Sequence, residues 1–93
     1  MTVGLLKVSL FIPASNSLKH KRMVLNSLKA RIRNNFNIAV SQINDQDKWQ
    51  KATLALVGVD TDRNDMNSLL SRLINFIEDF DEVQLINHEM ELI

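Results

Sequence analysis

The stretch Ser17-Leu18-Lys19-His20-Lys21-Arg22 places three cations where a helix should begin. A helix start already carries about half a positive charge from its unpaired N–H groups, so each exposed cation there costs roughly 0.3–1 kcal/mol. Something should offset that cost. One solution is a bound anion: backbone N–H groups, Lys19, Lys21 and Arg22 would converge on one phosphate or carboxylate. Arg22 also opens a stripe, because Arg22, Asn26, Lys29 and Arg33 fall within about 60° of one another at helical spacing. Lys29 and Arg33 are like charges one turn apart, which is mildly unfavourable in isolation. A basic helical stripe of this kind can track a nucleic-acid backbone. The candidate anion or nucleic-acid residues are therefore Lys19, Lys21, Arg22, Lys29 and Arg33.

The competing solution is internal. Glu78-Asp79-Phe80-Asp81-Glu82 closes a second helical pattern and opposes that helix's own dipole. If the two helices run antiparallel, the start of the first meets the finish of the second, and the two misplaced clusters neutralise each other. Asp45 and Asp47 should come to the same end.

Trp49, the only tryptophan, stands in a polar stretch next to Lys48 and close to Lys51. It could stack on a base while the cations steer the backbone. Alternatively it closes over a sheet edge or a partner subunit, using its indole N–H. Catalytic patterns are weak. His20 and His88 are far apart and lack ligand spacing. Asp45 and Asp47 alone make a poor cation cage. Ser15 and Ser17 have no evident base partner, so turn and capping roles fit them better. Gly4 and Gly58 are isolated and form no phosphate loop. The expectation is a noncatalytic protein with no metal and no small-molecule cofactor.

Ninety-three residues, 45% apolar, suffice for one domain spanning 1–93 with an efficient core. Cysteine is absent, which removes disulfides, thiol nucleophiles and cysteine metal sites and suits a reducing compartment. The N-terminus reads as a strand and not as a signal peptide, and no apolar run approaches the ~20 residues of a membrane span. A soluble, cytoplasmic protein without membrane association is expected. The net charge of zero hides a division. Met1 to Asn44 holds seven cations and no acid, whereas Asp45 to Ile93 holds all 11 acids and four cations. Such asymmetry points towards a polyanion partner unless the fold neutralises it.

The elements that position these residues follow from periodicity. Val3 to Ile12 alternates, and Pro13 stops it, so a strand is predicted there. Leu18 to Phe36 is predicted as a helix with Leu18, Leu25, Leu28, Ile32 and Phe36 inward and Ser17 as its cap. Asn37 to Asn44 reads as a strand, the following NDQDKWQ stretch as a hairpin loop, and Ala52 to Val59 as a central strand apolar on both sides. Asp62 to Phe80 is a second helix, capped by Asp62 with Asp65 imitating a capping box, and with Met66, Leu69, Leu70, Leu73, Ile77 and Phe80 buried. Val83 to Leu92 is the last strand. The order β-α-β-β-α-β, with crossover helices and a central hairpin, predicts an α+β ferredoxin-like sandwich with both helices on one face of a four-stranded antiparallel sheet. The open face should show Leu5, Phe11 and several aliphatics, a basis for homodimerisation. A multi-base RNA platform is not expected there, since Phe11 is its only suitable aromatic.

The first strand ending in "IP", then "SLKHKR", "SLKARIRNNFN", "NDQDKWQKATL" and "INFIE", together resemble the small bacterial YlxP-like family, a domain of unknown function designated DUF503. The resemblance spans nearly the whole chain and implies a ferredoxin-like domain. The placement of such genes among transcription and translation factors in some bacteria implies a link to RNA or the ribosome. The expected function is an accessory protein that binds RNA or a ribonucleoprotein through its basic first helix, with Trp49 as a stacking group. The alternative is a homo-oligomeric protein-interaction module whose basic helix is engaged in structural ion pairs.

Overall fold

The alternation at the start of the chain forms β1 (Thr2–Phe11) in the computed structural model, which describes residues 1–93. Leu6, Val8 and Leu10 are buried under the helices, while Val3, Leu5, Lys7, Ser9 and Phe11 lie half-buried on the opposite face. Ser17 then starts α1 (Leu18–Asn35) in extended conformation, its hydroxyl accepting the His20 N–H at 3.0 Å. Phe36 ends the helix by returning to extended backbone, and β2 (Ala39–Asn44) begins only after Phe36 and Ile38 have packed against the core. A hairpin leads to β3 (Lys51–Asp60). Asp62 caps α2 (Arg63–Glu78) by accepting the Asn64 N–H at 2.8 Å; Asp65 sits in the first turn, but makes no reciprocal bond to Asp62. The last strand is β4 (Gln84–Leu92).

The sheet order is β2-β3-β1-β4, antiparallel throughout, as the ferredoxin-like reading requires. Both helices cover one face. α1 lies over the edge strand β2, and α2 lies over β1, β3 and β4. Nineteen buried apolar residues make one core, including Leu25, Leu28 and Ile32 from α1 and Met66, Leu70, Leu73 and Ile77 from α2. Gly4 and Gly58 face each other across β1 and β3 beneath Met66. A Cβ on Gly4 would overlap the Met66 Sδ and lie 2.6 Å from its Cγ, so the missing side chain is what lets α2 settle on the sheet.

The helices are antiparallel, but staggered. The Arg31 guanidinium lies 5.3 Å from the centre of the Phe80 ring, and Phe36 meets Phe76 edge-on at 5.3 Å. The end of α2 therefore sits beside the C-terminal half of α1. Leu18 lies 13 residues before Arg31, about 20 Å away along the axis at ~1.5 Å per residue. The first turns of α1 project past α2 and rest on the β2–β3 hairpin. The molecule is correspondingly long, 42 × 21 × 18 Å.

Candidate nucleic-acid interface

The stagger decides which charges meet. The expected pairing of Lys19, Lys21 and Arg22 with the Glu78–Glu82 cluster does not form: no ion pair joins them, and Phe80, in the middle of that cluster, lies beside Arg31, well down the helix. The single ion pair of the molecule is Lys48–Asp45, 3.3 Å apart within the hairpin.

Lys21 is not available to an anion. It is 1% exposed, and its Nζ donates to three backbone oxygens, those of Asp45 at 2.6 Å, Lys51 at 2.9 Å and Lys48. An ammonium has three donors, and all are spent. Burial pulls its pKa below the ordinary value, against Asp45 and Asp47, which push it up. Lys21 is thus a clamp that fixes the hairpin to α1, and it leaves the binding set. The sequence carries a signal for this. Lys21, Leu25, Leu28 and Ile32 share the i, i+4, i+7, i+11 spacing of the inward stripe, so Lys21 occupies a core position.

The other four cations remain on the outside. Lys19, Arg22 and Arg33 are exposed and Lys29 is half-buried; none forms an ion pair. Arg33 donates one of its five N–H groups to the Val40 carbonyl at 3.1 Å, which orients its guanidinium over the β2 edge and leaves the other donors free. Arg22, Lys29 and Arg33 lie within about 40° round the helix, and Arg31 lies about 160° from Lys29, turned towards α2. One flank of α1 faces the acidic end of α2. The other, along the β2 edge, is basic and unneutralised. Nine of the 11 acids fall between Asp60 and Glu91, from the end of β3 through α2 and β4, so the charge division of the sequence persists as two sides of the fold.

Trp49 is 57% exposed in the hairpin, and its indole N–H has no partner, so it does not fold down over the sheet edge. The clamp therefore holds an exposed aromatic beside Lys48 and Lys51, at the same end of the molecule as Lys19 and Arg22. Asp45 has the only left-handed non-glycine backbone, φ 67°. Its carboxylate takes the Lys48 ammonium and, at 3.2 Å, the Thr53 hydroxyl; the Lys48 bond first and the Thr53 bond second hold its pKa below the usual carboxylate range, against some desolvation.

The histidines do not come together. His20 is half-buried at the α1 start with a shielded, unpartnered Nδ1, and His88 is exposed on β4. Ser15 donates to the Ser17 carbonyl at 3.1 Å. No three His, Asp or Glu side chains come together in an arrangement that could hold a metal ion, and no helix is long and apolar enough to cross a membrane.

The family model described as "Protein of unknown function (DUF503)" matches residues 3–90. The chain belongs to the DUF503 family. It is 33% identical over 82 residues to the "Uncharacterized protein YlxP" of Bacillus subtilis (strain 168), covering 88% of this chain and 89% of that protein. Among solved structures, the DUF503 chain is similar to the de novo designed protein Foldit4, with a TM-score of 0.50 and 13% identity over 100% of this chain and 94% of the other. It is also similar to a point mutant of SnoaB, a cofactor-independent oxygenase from Streptomyces nogalater, with a TM-score of 0.51 and 13% identity over 99% and 90%. At that identity both likenesses speak to the fold alone.

Proposed function

We propose that this protein is a noncatalytic accessory factor that binds RNA, free or within a ribonucleoprotein, along the outer flank of α1. The observation that carries the reading is that Lys19, Arg22, Lys29 and Arg33 stand on one accessible side of the molecule with no carboxylate paired to any of them. A row of free cations at helical spacing matches a phosphate backbone, and the exposed Trp49 at the same end offers a surface for one unstacked base. Arg22→Ala/Lys29→Ala should weaken binding to single-stranded RNA about tenfold at low salt, whereas Arg63→Ala/Arg72→Ala on α2 should change it little. Equal losses in the two variants would mean a diffuse charge effect and no defined surface.

A second reading is favoured by the open sheet face. Val3 and Leu5 stand opposite Val59 and Val57, and Ile93 pairs with Val3, so the register gathers one apolar patch in which Val59 is 63% and Ile93 65% exposed. A homodimer through this patch would be abolished by Val59→Lys, with light scattering reporting the mass. A wild-type monomer at high concentration removes this second reading.

A further inference from the structure

The irregular features of the sheet converge on one place. Its two β-bulges occur where β4 meets β1, between Ser9 and Leu10, and where β2 meets β3, between Gln42 and Asn44. Asp45, with its left-handed backbone, follows the second bulge directly. Between them, on the open face at the hairpin end, lies a recess of about 500 Å³. That is within the ~300–1,000 Å³ typical of small-ligand sites. Bulges re-aim side chains and concentrate next to binding sites.

The lining groups restrict what the recess can hold. Phe11 and Ile86 supply the apolar surface. The Ser9 hydroxyl makes no hydrogen bond, Asn87 has its Oδ1 occupied by the His88 N–H at 2.9 Å and both amide donors free, and Gln50 gives one N–H to the Pro13 carbonyl at 3.1 Å and keeps its carbonyl free. The Asp45 carboxylate still has acceptor capacity beyond Lys48 and Thr53, and it can be satisfied only by an N–H or O–H donor. Lys51 lines the same recess and Lys48 adjoins it, so a cationic ligand is disfavoured. A neutral planar ring carrying an amine, attached to an anion, satisfies all of these groups together.

We propose that this recess seats one unpaired nucleobase of a single-stranded RNA, of the kind that carries an exocyclic amine, with Asp45 accepting from the amine, Phe11 against the ring and Lys51 near the phosphate. This rests on the RNA reading above and adds base preference to it. Uracil presents a carbonyl where cytosine presents an amine, and a carbonyl facing a carboxylate is repelled.

The test compares oligocytidine and oligouridine of equal length by fluorescence anisotropy at one low salt concentration, with the wild type, Asn87→Ala and Phe11→Ala. Oligocytidine should bind roughly tenfold more tightly, the value of one hydrogen bond to a charged acceptor. The preference should shrink in Asn87→Ala, which removes the free amide donors that would meet the ring N3 (an acceptor in cytosine, an N–H in uracil) and whose exposed position keeps folding out of the comparison, and further in Phe11→Ala, which takes away the surface that seats the ring. Cytidine monophosphate should shift the backbone amide resonances of Ser9, Phe11 and Asn87 in the wild type. Equal binding of both oligomers, or a preference that survives both substitutions, overturns the recess proposal and leaves the basic flank intact. Failure of both oligomers to bind at low salt defeats the RNA reading and this inference with it.

Discussion

Replacing Lys21 by methionine keeps an unbranched apolar stem of four atoms and removes the ammonium. Three carbonyls, of Asp45, Lys48 and Lys51, then lose their donor at once. A hydrogen bond from a charged group contributes about 1.5–3 kcal/mol, so the gross loss is on the order of 5–9 kcal/mol. Two offsets reduce it. The buried ammonium no longer has to be desolvated, which returns several kcal/mol. The three bonds are only partly buried, so water can replace some of the lost donors. The net destabilisation should be about 2–3 kcal/mol. For a domain of this size that lowers the Tm by roughly 10–20 °C. Trp49 sits inside the clamped hairpin, so its fluorescence reports the loop while far-ultraviolet circular dichroism reports the helices. The loop signal should loosen in Lys21→Met before global unfolding. A variant within about 0.5 kcal/mol of wild type, with unchanged tryptophan emission, would refute the clamp.

The other predictions are local. Gly4→Ala should destabilise by about 1–3 kcal/mol through collision with Met66, and the cost measured by urea titration should shrink in a Met66→Ala background. Ser17→Ala should cost about 1 kcal/mol by removing the cap of α1, read in the same way. The folded-state pKa of Asp45 lies below its ordinary 3.8, so its stabilising contribution is present above that value and is lost as the pH falls through the folded-state value. Asp45→Asn should therefore flatten the acid limb of the stability curve, and an unchanged limb would show that Lys48 and Thr53 do not hold the carboxylate.

Most of the architecture is legible in the sequence because burial leaves periodic traces. Alternation marks β1, a 3.6-residue stripe marks both helices, and Ser17 and Asp62 mark where those helices begin. Features that no local pattern encodes escape such a reading. Helix offset depends on how Phe36 meets Phe76 and Arg31 covers Phe80, and neither helical pattern carries that register; the predicted meeting of the basic start with Glu78–Glu82 fails for this reason. Lys21 reads as a binding residue by its charge, although its place in the inward stripe points to the core. The recess near Ser9, Asp45 and Asn87 leaves no trace in the sequence, because a bulge exists only once two strands are paired.

The central claim is that Lys19, Arg22, Lys29 and Arg33 engage phosphates. The most direct measurement is the dependence of the RNA dissociation constant on salt. Three or four phosphate contacts on a single strand predict a slope of log affinity against log salt of about −2 to −3, becoming shallower by roughly one to two in Lys29→Ala/Arg33→Ala. A slope near zero, or a steep slope that those substitutions leave unaltered, would contradict the account.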